Sequence, residues 1–223
     1  ESLLMEDWHH EKLSILLMNK INEEFDGELS MALEMFQGKY HRRFFNQLIS
    51  SQLDVDRLDY LKRDSFFTGV SEGSVNTQRI ISMMNVCDDE LVIDEKGVYS
   101  IENFLTARMF MYWQVYYHKT SALAEHLLVK ILSRAKQLIS EGKSIEAYGN
   151  LKYFLYKTDF EKATEEDINR FTQLDDTDVL SAIKTWQNAD DFVLSYFCRA
   201  VVQRKFPKTV FSSHPFEQDL IDE

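Results

Sequence analysis

The segment Ser51–Val70, which reads SQLDVDRLDYLKRDSFFTGV, combines carboxylates, cations and a phenol at helical spacing. At about 100° per residue, Asp56, Tyr60 and Asp64 fall on one stripe of a helix, and Arg57 flanks that stripe. A carboxylate in such a stripe can bind a hard cation, while the phenol and the second carboxylate can hydrogen-bond to hydroxyl groups. The alternative is a solvated surface on which Tyr60 simply packs, because charge runs on helices usually face water.

A second stripe lies on a long helix predicted for residues 101–140. Arg108, Tyr112, Tyr116 and Lys119 share one face of that helix at i, i+4, i+8 and i+11. Two cations that bracket two phenols suit a polyanionic ligand with a flat or sugar part, since Arg forks onto phosphate oxygens and Lys supplies a point charge. The alternative is a buried aromatic seam whose charged ends reach solvent, and spacing alone favours the seam.

The N-terminal stretch WHHEKLS adds His9, His10 and Glu11. Neighbouring residues of a helix point about 100° apart, so His9 and His10 cannot both face one site. The spacing therefore does not by itself identify a catalytic histidine in this stretch.

The elements that must position these residues are mostly helical. The chain has 223 residues, 44% of them hydrophobic, with only 7 Gly and 2 Pro, so long stretches lack helix breakers. Helices are predicted at residues 3–25, 29–36, 40–50, 54–67 (ended by Gly69), within TQRIISMMNV, and at 101–140 (ended by Gly142), 144–157, 165–171, in LDDTDVLSAIKTW and at 189–204. The stretch ELVIDEKGVYSI, residues 90–101, alternates around DEKG and predicts a β-hairpin.

Charge and cysteine usage narrow the class of partner. A net charge of −12 and a pI near 5.0 argue against nucleic acid or a membrane surface as the main ligand. They leave room for a local basic pocket that binds a small anion. Cys87 and Cys198 are isolated, which supports neither a zinc ribbon nor a disulfide framework and favours a reduced, cytoplasmic setting. No apolar run of about 18 residues predicts a membrane span.

Three segments resemble the HD-domain phosphohydrolases. LDVDRLDYLKRDSFFTGV is similar to the C-terminal metal-binding helix of that family, most closely in its deoxynucleoside triphosphate (dNTP) triphosphohydrolase branch, which includes bacterial dGTPases and the animal SAM-and-HD-domain enzyme. IENFLTARMFMYWQVYYHKT is similar to the nucleotide-gripping helix of that branch, and WHHEKLS to the segment that follows the active-site loop. The matches occur in family order over residues 8–120, while the last hundred residues match loosely.

The resemblance implies a mostly α-helical, HD-domain-like helical bundle with one small β-hairpin. Residues 1–140 would form the C-terminal part of an HD-type domain, and residues 141–223 a helical extension. The implied activity is metal-dependent hydrolysis of a dNTP to the deoxynucleoside and triphosphate, with Mn, Fe, Ni, Zn or Mg as the divalent ion. A homo-oligomer is implied as well.

The resemblance also assigns roles to residues on the first stripe. Asp56 would be the last metal ligand, and Arg57 would hold the triphosphate. Tyr60 and Asp64 would contact the sugar, Asp64 at its 3′-hydroxyl.

The remaining roles fall on the second stripe and the N-terminal stretch. Arg108 would bind the outer phosphate, Tyr116 would pack on the sugar, and Lys119 would contact a phosphate. His10 would hydrogen-bond to the reacting phosphate or its leaving group. Tyr112 stands where some relatives have a histidine, so the resemblance leaves its role open.

One departure from the family pattern concerns the metal site. The family is named for a His, His-Asp and Asp ligand set, yet no His-Asp dipeptide occurs in this sequence. We therefore expect the other ligands to lie upstream in a longer protein, of which this chain is an N-terminally truncated and by itself inactive part. Two alternatives remain open: an HD enzyme that acts on another nucleotide phosphoester, and a non-catalytic helical oligomerisation or interaction module.

Overall fold

The structure, a computed structural model, describes residues 10–157, 164–210, 212, 214 and 215. Within them, 11 α-helices accompany a single two-stranded antiparallel sheet. This confirms the predicted mostly α-helical fold with one small hairpin. The chain divides into two compact units, one with the described residues up to His118 and one with those from Lys119 onward. This division follows the packing of the chain, whereas the boundary predicted at residue 140 concerns where the HD-type domain ends. That boundary stays a prediction.

The first unit packs its helices around an apolar cluster. Its elements are α1 (His10–Glu24), α2 (Ser30–Phe36), α3 (Arg43–Ile49), α4 (Val55–Thr68), α5 (Thr77–Met83), β1 (Met84–Cys87), β2 (Glu90–Ile93) and α6 (Val98–Met111). Leu58 and Leu61 of α4 are buried against Phe104 and Met111 of α6. Because α4 buries its apolar face against α6, the two helices that carry the predicted stripes lie side by side.

Helix α4 begins and ends as its sequence predicts. Asp54 caps the N-terminus, where its carboxylate accepts a 2.8 Å hydrogen bond from the backbone N–H of Arg57. Gly69 ends the helix in the left-handed region, with φ at 72°, and its N–H donates to the carbonyl of Ser65. The exposed side chains of Asp59 and Arg63, four positions apart, form a surface ion pair at 2.7 Å.

The hairpin lies earlier in the chain than predicted. Strand β1 pairs with β2 through a turn at Asp88 and Asp89, whose φ values are 50° and 63°. A two-residue turn with both φ angles positive matches the twist of the strands, and aspartate tolerates that conformation. Asp89 is further held by the Nε atom of Arg42 at 2.8 Å. The prediction centred on DEKG was wrong because it overlooked this Asp-Asp turn.

The DEKG stretch instead leads from β2 into α6. Glu95–Gly97 forms a short 3-10 turn. A Cβ atom at Gly97 would lie 2.7 Å from Cγ2 of Ile93 and 2.9 Å from Cβ of Met83, so only glycine fits this approach of α6 to the hairpin.

The long helix predicted for residues 101–140 is interrupted. Helix α6 ends at Met111, a π turn follows at Tyr112–Tyr116, and a new helix begins at Lys119. A π turn accommodates one extra residue in a helical run and so rotates everything that follows it. The continuous helix was therefore a wrong prediction.

The second unit contains five helices within the described residues: α7 (Lys119–Ser140), α8 (Gly149–Tyr156), α9 (Glu165–Phe171), α10 (Asp176–Trp186) and α11 (Phe192–Gln203). Helices α9 and α10 each begin with a capping box, from Thr164 and Asp175, as their sequences indicate. None of the described helices combines the length and apolar character that crossing a bilayer requires.

Candidate functional site

The two predicted stripes meet in the first unit. Tyr116, at the end of the π turn, donates a 2.7 Å hydrogen bond from its hydroxyl to Oδ2 of Asp64 on α4, across 52 positions of sequence. The Tyr116 ring lies 6.2 Å from the ring of Tyr60, nearly perpendicular to it at 74°. The three side chains are all half-buried, so they form a cluster between the helices rather than a freely solvated surface.

Arg108 and Tyr112 extend this cluster along α6. The guanidinium of Arg108 lies over the face of Tyr112, 5.6 Å from the ring centroid, in cation–π geometry. The Tyr112 ring is in turn 5.2 Å from that of Tyr116. A cation therefore stands at one end of a row of tyrosines, and the Asp64 carboxylate at the other.

The environment keeps the phenols protonated and the arginine charged. Burial, with the Asp64 carboxylate as a second cause, raises the pKa of Tyr116. Burial also raises the pKa of Tyr60, against the opposing effect of nearby Arg108. A hydrogen bond to Tyr112 raises the pKa of Arg108. The site thus offers the hydroxyls of Tyr60 and Tyr116 and the positive charge of Arg108, beside the Asp64 oxygen that accepts from Tyr116.

Arg57 is already engaged in this structure. Its guanidinium pairs with the carboxylate of Asp54 and donates to the carbonyl of Ser51. Asp54 is 3% exposed, which makes this ion pair a partly buried support of the α4 N-terminus. A phosphate at Arg57 would have to share the guanidinium with Asp54.

Asp56 lies in the first turn of α4 and is exposed. In the part of the chain that the structure describes, no three His, Cys, Asp or Glu residues are grouped closely enough to hold a metal ion. A catalytic metal normally needs about three protein ligands. A metal with three protein ligands, Asp56 among them, would therefore need at least one ligand from outside the described residues.

Two of the predicted site residues lie on other helices than the cluster. His10 is the exposed first residue of α1, and no hydrogen bond among the described residues joins it to Asp64, Tyr116 or Arg108. Lys119 is exposed and begins α7, the first helix of the second unit. Lys119 was predicted to share a helical face with Arg108 on one continuous helix. The structure ends that helix at Met111, so this part of the prediction was wrong. The ligand roles of His10 and Lys119 stay predictions.

Sequence reasoning missed one contact of the cluster. Nη1 of Arg108 donates to Oε1 of Gln52 over 3.2 Å. Gln52 lies in the turn before α4, outside any helical spacing that could connect it to Arg108. No local signal marks such a contact, since it depends on how α4 and α6 pack.

Comparison with known proteins gives one family model and several relatives. The model of the HD associated region matches residues 75–153, which include the β-hairpin and α6. A crystal structure of a phosphohydrolase from Bacteroides thetaiotaomicron is 47% identical and superposes with a TM-score of 0.93, over 98% of this chain and 55% of that one.

Two curated proteins also match this chain over part of their length. The uncharacterized protein YwfO of Bacillus subtilis is 35% identical over 189 residues, which are 85% of this chain and 42% of that protein. A Dictyostelium discoideum protein named deoxynucleoside triphosphate triphosphohydrolase SAMHD1 homolog is 27% identical over 151 residues, or 62% of this chain and 29% of that protein. This chain thus matches only part of each relative. The fold, the matched HD associated region and these homologues together relate the chain to the HD-domain phosphohydrolases.

Proposed function

We propose that this chain supplies the nucleotide-binding part of a metal-dependent phosphohydrolase that converts a dNTP to the deoxynucleoside and inorganic triphosphate. The observation that carries the proposal is the contact between Asp64 on α4 and Tyr116 in the π turn, with Arg108 at the far end of the same cluster. This contact brings groups suited to a sugar and groups suited to phosphates into one place.

Each group has a distinct task in this proposal. Asp64 accepts a hydrogen bond from a sugar hydroxyl, while the perpendicular rings of Tyr60 and Tyr116 pack against the sugar. Arg108 forks onto a phosphate. In a protein of net charge −12, Arg108 supplies a local positive charge for a small polyanion, and Arg57 adds to it only by sharing its guanidinium with Asp54.

A divalent ion, for which Mn, Fe, Ni, Zn and Mg are the candidates, would polarise the phosphate or acidify the attacking water. Asp56 is the ligand that this chain offers to it. The dNTP substrate is supported by the Dictyostelium relative and by the resemblance, and phosphohydrolase chemistry more broadly by the Bacteroides structure. A homo-oligomer and a cytoplasmic location belong to the same proposal.

Calorimetric titration of the chain with a dNTP tests the binding role. We expect saturable binding that Arg108→Ala weakens at least about tenfold, because a charge-assisted contact to phosphate is lost. Arg63→Ala is the matched control, since Arg63 is an exposed arginine on α4 that pairs only with the equally exposed Asp59 among the described contacts. Equal dNTP affinity in the wild type and Arg108→Ala would contradict the proposal.

Product analysis tests the reaction class. A longer protein that contains this chain together with the remaining metal ligands should release intact triphosphate from a dNTP. Release of monophosphate or diphosphate instead would favour an HD enzyme that acts on another phosphoester.

A further inference from the structure

The turn before α4 presents an uncharged side chain to the cationic end of the candidate site. Gln52 is exposed in this turn, and its Oε1 atom accepts a 3.2 Å hydrogen bond from Nη1 of Arg108 on α6. Water could satisfy the amide of an exposed glutamine equally well, so burial does not force this contact. The contact joins the start of α4 to the cation that we assign to a phosphate.

The backbone on both sides of Gln52 is held in place. The N–H of Ser51 donates to Oδ2 of Asp54 over 3.2 Å, and the guanidinium of Arg57 donates to the Ser51 carbonyl. The N–H of Leu53 donates to Oγ of Ser51 at 3.2 Å, and the Leu53 side chain packs against the apolar cluster of the first unit. A side chain that projects from a backbone fixed in this way can hold another group at a defined angle.

The groups that hold Arg108 leave its positive charge unpaired. They are the neutral amide oxygen of Gln52 and the ring face of Tyr112, which lies 5.6 Å from the guanidinium. Within the part of the chain that the structure describes, no carboxylate forms a salt bridge with Arg108. Arg57, by contrast, pairs with the Asp54 carboxylate. Arginine has five N–H donors, and Gln52 occupies one of those on Arg108, so others can fork onto phosphate oxygens.

We propose that Gln52 is a positioning residue, whose amide oxygen holds the Arg108 guanidinium at the angle at which it forks onto the phosphates of the ligand. This inference rests on the proposed function. It requires an acceptor at position 52 that is neutral as well as correctly placed. A carboxylate there would bind Arg108 more strongly, yet it would neutralise the guanidinium and repel the phosphates.

Calorimetric titration of the chain with dATP and with inorganic triphosphate tests this role. Gln52→Met keeps the length of the side chain but lacks the acceptor, and we expect it to weaken the binding of both ligands about two- to tenfold. Gln52→Glu keeps the acceptor but adds a negative charge, and should weaken both at least about tenfold. Gln78→Glu is the matched control, because it adds the same charge at an exposed residue of α5 that has no described contact with Arg108. It should change neither affinity by more than about twofold.

A double-mutant cycle shows whether Gln52 acts through Arg108. In the Arg108→Ala background, Gln52→Met should leave the affinity for dATP nearly unchanged, because the group that Gln52 positions is gone. An equal loss of affinity in both backgrounds would mean that Gln52 acts independently of Arg108, which overturns the inference.

The outcomes also distinguish this inference from the proposed function. If Arg108→Ala weakens dATP binding while Gln52→Met or Gln52→Glu binds as the wild type does, the positioning role is wrong and the proposed function stands. If the wild type binds neither dATP nor inorganic triphosphate, the proposed function fails and the positioning role with it.

Discussion

Among single side chains, Tyr116 and Asp64 form the link on which the candidate site depends. Their hydrogen bond joins α4 to the π turn, and each group lies half-buried between two helices. Hydrogen bonds to a carboxylate are stronger than neutral ones, and leaving the carboxylate without its donor in a partly buried place carries a further cost. The same bond therefore serves both the stability of the first unit and the orientation of the carboxylate that a sugar would meet.

Tyr116→Phe removes this hydrogen bond and keeps the ring. We expect the free energy of unfolding to fall by about 1–2 kcal/mol, measured by urea denaturation. Tyr99→Phe, at an exposed position of α6, should change it by less than about 0.5 kcal/mol. A double-mutant cycle with Asp64→Asn should show strong coupling. Additive effects of the two substitutions would mean that the pair does not interact in solution.

Among the helices, the π turn decides where Tyr116 points. Every residue of Tyr112–Tyr116 continues a helical pattern, so the sequence gives no sign of the extra residue. The turn nevertheless takes it up, and so sets the rotation at which the Tyr116 hydroxyl reaches Asp64. The first stripe was predictable from its spacing, since Leu58 and Leu61 mark the buried side of α4. The break between Tyr116 and Lys119 was not predictable, because tertiary packing decides it.

Deletion of Gln114 tests the role of the π turn. Gln114 is exposed within the turn, so its removal restores an ordinary helical register without taking away a packed side chain. Because the turn holds one residue more than an ordinary α-helical turn, its loss leaves Tyr116 at its present rotation, facing Asp64. We expect the helical circular dichroism signal to persist and dNTP affinity to stay within about threefold of the wild type. Insertion of one alanine after Gln114 instead rotates the following residues by about 100° and should lower dNTP affinity at least about tenfold. A tenfold loss in the deletion variant would show that the turn does not act as a one-residue insertion in positioning the site.

The ends of other elements show which local signals can be trusted. The helix ends at Gly69 and Thr164 were readable from sequence because each depends on residues within a few positions. The hairpin was misplaced because Asp-Asp is a weaker turn signal than a glycine-containing pair. Gln52 could not be found at all, since its partner lies 56 positions away.

An ion pair between α7 and the N-terminus of α11 makes the second unit sensitive to acid. Arg134 donates from Nε and Nη2 to the two oxygens of Asp191, at 3.1 and 2.6 Å. The Arg134 guanidinium lowers the pKa of Asp191 from 3.8 to about 2. Because the pKa of Asp191 is lower in the folded chain than in the unfolded one, the ion pair contributes its full stabilisation above the ordinary pKa of 3.8. That stabilisation is lost as the pH falls towards about 2.

Asp191→Asn tests this acid sensitivity. Asparagine keeps an oxygen to cap Leu194 N–H but loses the charge, so the variant should be less stable than the wild type by on the order of 1–2 kcal/mol at pH 6. The difference should shrink at pH 3. Asp59→Asn, at an exposed ion pair, is the control and should show almost no difference at either pH. A constant difference for Asp191→Asn between pH 6 and pH 3 would exclude the ion pair as its cause.

For the chain as a whole, binding and catalysis should be separable. Four side chains that we propose to contact the nucleotide are assembled within the first unit: Tyr60, Asp64, Arg108 and Tyr116. Asp56 is the one candidate metal ligand that the described residues place beside them. A hydrolytic metal site requires about three protein ligands and an open position for water. The 223-residue chain should therefore bind a dNTP and yet release no measurable triphosphate when Mn²⁺ is added. Ion chromatography of the products, at enzyme concentrations comparable with the substrate, measures this directly. Metal-dependent triphosphate release by the chain alone, abolished by Asp56→Asn, would show that its own residues complete the metal site and that the division between binding and catalysis is wrong.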